Sequence, residues 1–412
     1  MIALTHARLI DGTGDAPVDD ATVVLDGPRI YAAARDAHFP DDAEVSDLRG
    51  LTVLPGLIDA HVHFGGFVID DPEWRFTYWS VFPFFLDYLG GFRKRRNFAI
   101  ENGVTTVRSA GDNHPHIIQL RDRIDRGKLI GPRIIAAGPI FTAPGGHPAG
   151  TIYKNNRYVI EHATRQVETD TAARAEVRCL AAEGVDVIKG VYSDVNPFNL
   201  DHPIPKLDLP VLQAIIDEAH KQGLRSMVHV GNARDALEAT MAGADSIEHG
   251  ILPGASCSQC SAELVAEMQE RGTSFVPTLA AAWAMTSTYP DALTFGMSWA
   301  RQMQEGGVRI ALGTDAGAPG VVIGKAVHME LELLVKSGLS PLEAIITGTR
   351  NAAEVIGRGD DLGTIEPGKL ADLIAVAGDP LAHISASREV QLVIKDGTIV
   401  LDRGRQQHGR SH

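Results

Sequence analysis

Four histidines, one lysine and one aspartate sit at the ends of apolar segments, where an isolated polar group is expensive to place. His61 and His63 close LIDAHVH (57–63), Lys189 lies at the end of VDVIKG (185–190), and His229 lies in LRSMVHV (224–230). His249 lies in ADSIEHG (244–250), and Asp315 closes VRIALGTD (308–315). Residues two apart on a strand point to the same side, so His61 and His63 can grip one ion together. A single buried histidine is as often a hydrogen-bonded core residue as a ligand. Six metal-type groups at five such ends favour metal chemistry over six separate accidents.

Lys189 is the informative member. An ammonium at the end of an apolar strand must be paired, neutral or chemically modified. A pair with a strand-end carboxylate such as Asp315 is one outcome. Desolvation also favours the neutral amine, which can add carbon dioxide. The resulting carbamate turns a cation into an anionic oxygen ligand able to bridge two ions.

These groups are far apart in sequence, so the fold must bring them together. Between residues 57 and 315 eight strand-like runs recur, the remaining three being VTTVRSA (104–110), RIIAAGPI (133–140) and TSFVPTL (273–279). Helical candidates lie between them: TAARAEVRCLAAEG, PVLQAIIDEAHKQG, ARDALEATMAG and AELVAEMQERG. Parallel strands need helical crossovers, and eight strand–helix repeats predict an α/β (β/α)8 TIM barrel. A doubly wound open sheet fits the alternation too, but no dinucleotide glycine fingerprint follows the first strand. In a barrel the strand C-termini form one active face, where all six groups would converge. The first fifty residues and the tail EVQLVIKDGTIVLDRG read instead as short strands, with Lys395-Asp396-Gly397 a hairpin signal. The expected organisation is a β-sandwich domain from 1–54 and 361–412 around a barrel from 55–360.

PGLIDAHVH, the IK at 188–189, VHV with His229, SIEHG, LGTDAG and the tail GTIEPGKLADLIAVAGDP together resemble the amidohydrolase superfamily. Its imidazolonepropionase-like and Xaa-Pro dipeptidase-like members with binuclear sites are the nearest match. The resemblance implies that His61, His63 and Asp315 bind a first divalent ion and His229 and His249 a second, with carbamylated Lys189 bridging. Zinc leads as the metal, with manganese, cobalt and iron open. It further implies attack by a metal-bridging hydroxide on an amide or peptide-like C–N bond, of an N-acyl amino acid, dipeptide or aryl amide. Asp315 would be the proton shuttle. His147, in APGGHPAG, looks like a group that polarises the substrate, although Pro148 replaces a glycine usual in the family motif. Lactone or phosphoester hydrolysis on the same site is an alternative. A mononuclear imidazolone hydrolase or deaminase is another, against which Lys189 argues. Relatives often carry HAY where this chain has His229-Val230-Gly231, which weakens transfer of dipeptidase specificity.

Other features bear on partners and on the pocket. Arg108 and Asp112-Asn113-His114 follow the second strand and could reach substrate or stay in a solvated loop. The aromatic run within 64–92 (Phe67, Trp74, Phe76, Tyr78, Trp79, Phe82, Phe84, Phe85 and Tyr88) could roof the pocket, but suits a core helix or an oligomer contact equally well. Cys257 and Cys260 have zinc-knuckle spacing without a second pair and read as plain thiols. A formal charge of -14 argues against nucleic acid and anionic membranes. No signal-like start and no apolar run of about 18 residues are visible. The expectation is a cytoplasmic enzyme acting on a small molecule, assembled as a homo-oligomer.

Overall fold

The computed structural model describes residues 1–66, 82, 86–250 and 260–404. Strands β1 (Ile2–Leu9), β2 (Val18–Asp26), β3 (Arg29–Ala34), β4 (Glu44–Asp47) and β5 (Leu51–Pro55) come first. They join β15 (Leu373–Ala377), β16 (Val390–Lys395) and β17 (Thr398–Asp402) in one eight-stranded sheet ordered β17-β16-β15-β5-β1-β2-β3, with β4 on β1. The two ends of the chain meet where β15 pairs antiparallel with β5. Alternating side chains put Leu4, Leu9, Val23, Leu25, Ile30, Leu373 and Ile394 into a core of their own, which makes this part a β-sandwich. The β16–β17 hairpin turns on Asp396 and Gly397, both left-handed (φ 49° and 70°), as a two-residue turn between twisted strands requires.

The middle of the chain is a (β/α)8 barrel. Its strands are β6 (Leu57–Val62), β7 (Val104–Ser109), β8 (Arg133–Ala136) continued by β9 (Ile140–Thr142) with the short β10 (Thr164–Gln166) paired on its edge, β11 (Val187–Val191), β12 (Arg225–Val230), β13 (Ser246–His249) and β14 (Ser274–Val276), and the segment 308–315 is the eighth. All pairings among them are parallel. The expected third strand breaks at Gly138 (φ 67°), so 133–140 becomes β8 and then β9. The end of β8 meets the start of β11 through Asp186 N–H donating to Ala136 O (2.8 Å). The expected eighth strand, 308–315, carries one isolated bridge rather than a ladder. Ile310 bridges Phe275, and Ala60 N–H donates to Leu312 O (2.9 Å), which closes the ring onto β6.

The four expected crossover helices occupy Asp170–Ala182, Leu209–Lys221, Ala233–Met241 and Ala262–Arg271. Thr169, Asn232 and Ser261 accept first-turn N–H groups at the starts of three of them. Their apolar faces (Val177, Leu180, Leu212, Ile216, Ala236, Leu264) pack on the barrel. Among the described residues no helix is long and apolar enough to cross a membrane. Of the aromatic run, Phe82 is exposed and Tyr88 is partly buried against His116; Phe67, Trp74, Phe76, Tyr78, Trp79, Phe84 and Phe85 lie outside the described residues, as does Cys257.

Candidate active site

All six strand-end groups meet at one mouth of the barrel. His61 and His63 come from β6 and the residue after it, Lys189 from β11, His229 from β12, His249 from β13, and Asp315 from the turn after the eighth segment. The His61 ring lies 5.8 Å from His63 and 4.6 Å from His249, and His249 lies 4.7 Å from His229. Asp315 Oδ1 stands 3.2 Å from His63 Nε2 and 3.4 Å from His61 Nε2. Donor atoms of His61, His249 and Asp315 all lie within 4.8 Å of one another. His147 joins the group from its loop, stacked on His229 with ring centroids 5.2 Å apart.

Local geometry explains the motifs around these residues. A Cβ on Gly313 would fall 2.8 Å from His61 Cβ and 2.4 Å from Val276 Cγ1, and one on Gly317 2.9 Å from His63 Cβ. Glycine on both sides of Thr314-Asp315-Ala316 therefore lets this turn approach the first strand closely. Asp59 clamps it from below: Thr314 donates to Asp59 from N–H (3.0 Å) and from Oγ1 (2.6 Å). Burial pushes the Asp59 carboxyl up to about 7. His249, Thr278 and Asp315 all hold left-handed backbones (φ 69°, 50° and 57°). For non-glycine residues such strain costs on the order of 1 kcal/mol each and persists where the surroundings enforce it.

The rings are oriented from behind. His61 Nδ1 donates to Glu248 Oε2 (2.6 Å), and His63 Nδ1 donates to Gly111 O (2.9 Å). His249 Nδ1 lies 2.7 Å from Thr278 Oγ1, and His147 Nδ1 2.8 Å from Thr151 Oγ1. Burial, reinforced by mutual repulsion, holds His61, His229 and His249 well below the usual imidazole range. Burial likewise takes His147 down to about 4. These rings are neutral at physiological pH, the state that can ligate a metal. At His63, burial opposes the charge, but the hydrogen bond and attraction from Asp315 outweigh it and raise the pKa.

Lys189 is 2% exposed, and its Nζ has no hydrogen-bond partner among the described residues. Among the described residues, the ion pair that the sequence left open, with Asp315 or another carboxylate, does not form. Burial lowers the amine to about 8, against the pull of Glu248 and Asp315.

Two sequence expectations need correcting. Arg108 neither reaches substrate nor stands in solvent: it is 1% exposed, and its guanidinium donates to Glu248 Oε1 (2.9 Å), Ser246 Oγ (3.1 Å) and Ala60 O (2.6 Å) inside the barrel. Asp112 and His114 are buried as well. Asp112 accepts from Ser109 Oγ and Gly65 N–H, with Oδ1 3.9 Å from His63 Nδ1, and His114 pairs with Glu183 at 2.7 Å. Glu248 and Asp59 are site residues that motif reading passed over. A charged residue inside each apolar strand, two or fewer positions from a histidine, was the available signal.

A sequence profile of the Amidohydrolase family matches residues 52–400. The chain belongs to the amidohydrolase family. Among curated relatives of this amidohydrolase, ochratoxinase from Aspergillus niger is 28% identical over 93% of this chain and 83% of its own length. Imidazolonepropionase from Geobacillus thermodenitrificans is 24% identical over 95% and 91%. A solved Xaa-Pro dipeptidase with methionine in its active site superposes with a TM-score of 0.82 at 31% identity, covering 97% of this chain and 99% of that one.

Proposed function

We propose that this amidohydrolase cleaves an amide or peptide-like C–N bond at a centre of two divalent ions. His61, His63 and Asp315 would hold one ion and His229 and His249 the other, with carboxylated Lys189 as the shared ligand. The donor set fits: four imidazoles, with Nδ1 of His61, His63 and His249 engaged behind them, a carboxylate between two Nε2 atoms, and an amine with no hydrogen-bond partner among the described residues. That orphaned Lys189 Nζ is the observation that carries the reading. With a pKa near 8, about one amine in four is neutral at pH 7.5, against about one in a thousand at 10.5. The neutral nitrogen forms a bond to the carbon of carbon dioxide and loses a proton, leaving an N-carboxylate whose charge the site's cations neutralise.

When bound, the ions supply a Lewis acid and a nucleophilic hydroxide at neutral pH. Asp315 accepts the proton given up on attack and returns it to the leaving nitrogen. His147, uncharged and steadied by Thr151, donates from Nε2 to the substrate carbonyl oxygen when the Thr151 hydroxyl donates to Nδ1. The name of the solved Xaa-Pro dipeptidase states a dipeptide substrate, which favours a dipeptide among the substrates considered.

The test is a hydrolysis screen with protein reconstituted in bicarbonate with zinc, manganese or cobalt. N-acyl amino acids, Xaa-Pro dipeptides, aryl amides, lactones and phosphotriesters are compared by kcat/KM. The reading expects the C–N substrates to lead and two ions per chain. A lead by lactones or phosphotriesters, or one ion per chain, overturns it.

A further inference from the structure

Among the described residues, His61 is the one imidazole of the site hydrogen-bonded to a carboxylate that is itself clamped. Glu248 Oε2 accepts His61 Nδ1–H at 2.6 Å, while Oε1 accepts from Arg108 at 2.9 Å and from Ser246 Oγ at 2.5 Å. Arg108 reaches back to the first strand through Ala60 O. His61, Glu248, Arg108 and Ser246 are each at most 1% exposed. The unit spans three strands, β6, β7 and β13, and lies beneath the ring of histidines. His63 leans on a backbone carbonyl and His249 on a hydroxyl.

We propose that Glu248, clamped by Arg108 and Ser246, is the positioning residue that fixes His61 as a metal ligand. A carboxylate on Nδ1 admits only the tautomer with its proton there, which leaves the Nε2 lone pair directed at the interior beside Asp315 (3.4 Å). It also raises the donor strength of Nε2, as a charged acceptor does more than a carbonyl or hydroxyl. Arg108 neutralises the carboxylate and sets its rotation, so the ring plane is set from three strands at once. Glu248 also precedes His249 in β13, so one strand end carries a ligand to one ion and the support for a ligand to the other. The inference rests on the two-ion reading above.

The experiment titrates metal-free protein with cobalt(II) in bicarbonate, so that Lys189 can be carboxylated, against a competing chelator, following the visible spectrum of the bound ion. Glu248→Gln keeps the shape and removes the charge. The expected result is a loss of roughly 10- to 100-fold in affinity for one of two ions, with a changed spectrum for that ion. The double variant Glu248→Gln/Arg108→Met, which leaves no buried charge unpaired, should fold and show the same selective loss. Asp372→Asn serves as a control, since it breaks a buried pair with Arg133 (2.6 Å) away from the site. It should lower stability and leave cobalt affinity and spectrum unchanged. Either Glu248 variant binding both ions with wild-type affinity and spectrum overturns the positioning role while the two-ion reading stands. A wild-type chain that takes up no second ion overturns both.

Discussion

Replacing Lys189 by methionine should stabilise the metal-free protein while abolishing its activity. Lys189 is 2% exposed and without a hydrogen-bond partner among the described residues, and its amine falls from 10.5 to about 8. At pH 7 both the folded and the unfolded chain carry the proton, so the fold bears the whole cost of the buried charge. By linkage that cost is about 3 kcal/mol. It is fully present below pH 8 and is relieved as pH rises from 8 to 10.5, where the unfolded chain loses the proton too. Methionine fills similar volume without charge. In chelator-treated, carbon-dioxide-free protein, urea denaturation should show the variant more stable by about 3 kcal/mol at pH 7, with the difference shrinking towards zero by about pH 10.5. The variant should bind fewer ions and hydrolyse nothing. A variant equal or inferior in stability at pH 7, or an advantage unchanged at high pH, would refute the reasoning that this amine is buried without compensation.

Asp315→Asn should lower turnover by roughly 10²- to 10⁴-fold with a much smaller fall in metal content, read by steady-state kinetics beside metal analysis; near-normal turnover excludes a proton shuttle. Chelation should abolish activity, and zinc with bicarbonate should restore it more fully than zinc alone. A ¹³C-bicarbonate label should then give a carbamate resonance that Lys189→Ala lacks; an equal signal in that variant removes the bridging role. Glu330 is buried, accepts Leu279 and Ala280 N–H groups, and is pushed up to about 8 by burial. The unfolded chain ionises first, so stability should fall as pH rises from about 4.5 to 8. Glu330→Gln should flatten that slope in denaturant titrations, and an unchanged slope refutes the assignment.

The alternation of apolar runs with helical periods was enough to reveal the barrel, because side-chain period is a local property that needs no partner to be seen. The six convergent groups were legible for the same reason: each is a polar residue at the end of an apolar strand, and a barrel turns strand ends into one face. Strand boundaries were less legible. The eighth segment reads as a strand but forms only an isolated bridge at Ile310, with another just after it at Ala316, because ladder formation depends on how neighbouring strands tilt and stagger.

What tertiary structure alone decided is the support behind the ligands. Arg108 in VRSAG and Glu248 in SIEHG lie 140 positions apart, and nothing local distinguishes their 2.9 Å bond from two exposed charges. The orphaned state of Lys189 was equally hidden: pairing, neutrality and modification all fit one lysine in an apolar strand. Burial and hydrogen bonding are sums over neighbours from distant parts of the chain. Sequence therefore determined which chemistry was at hand, and packing determined which groups stand at the centre and which hold them there.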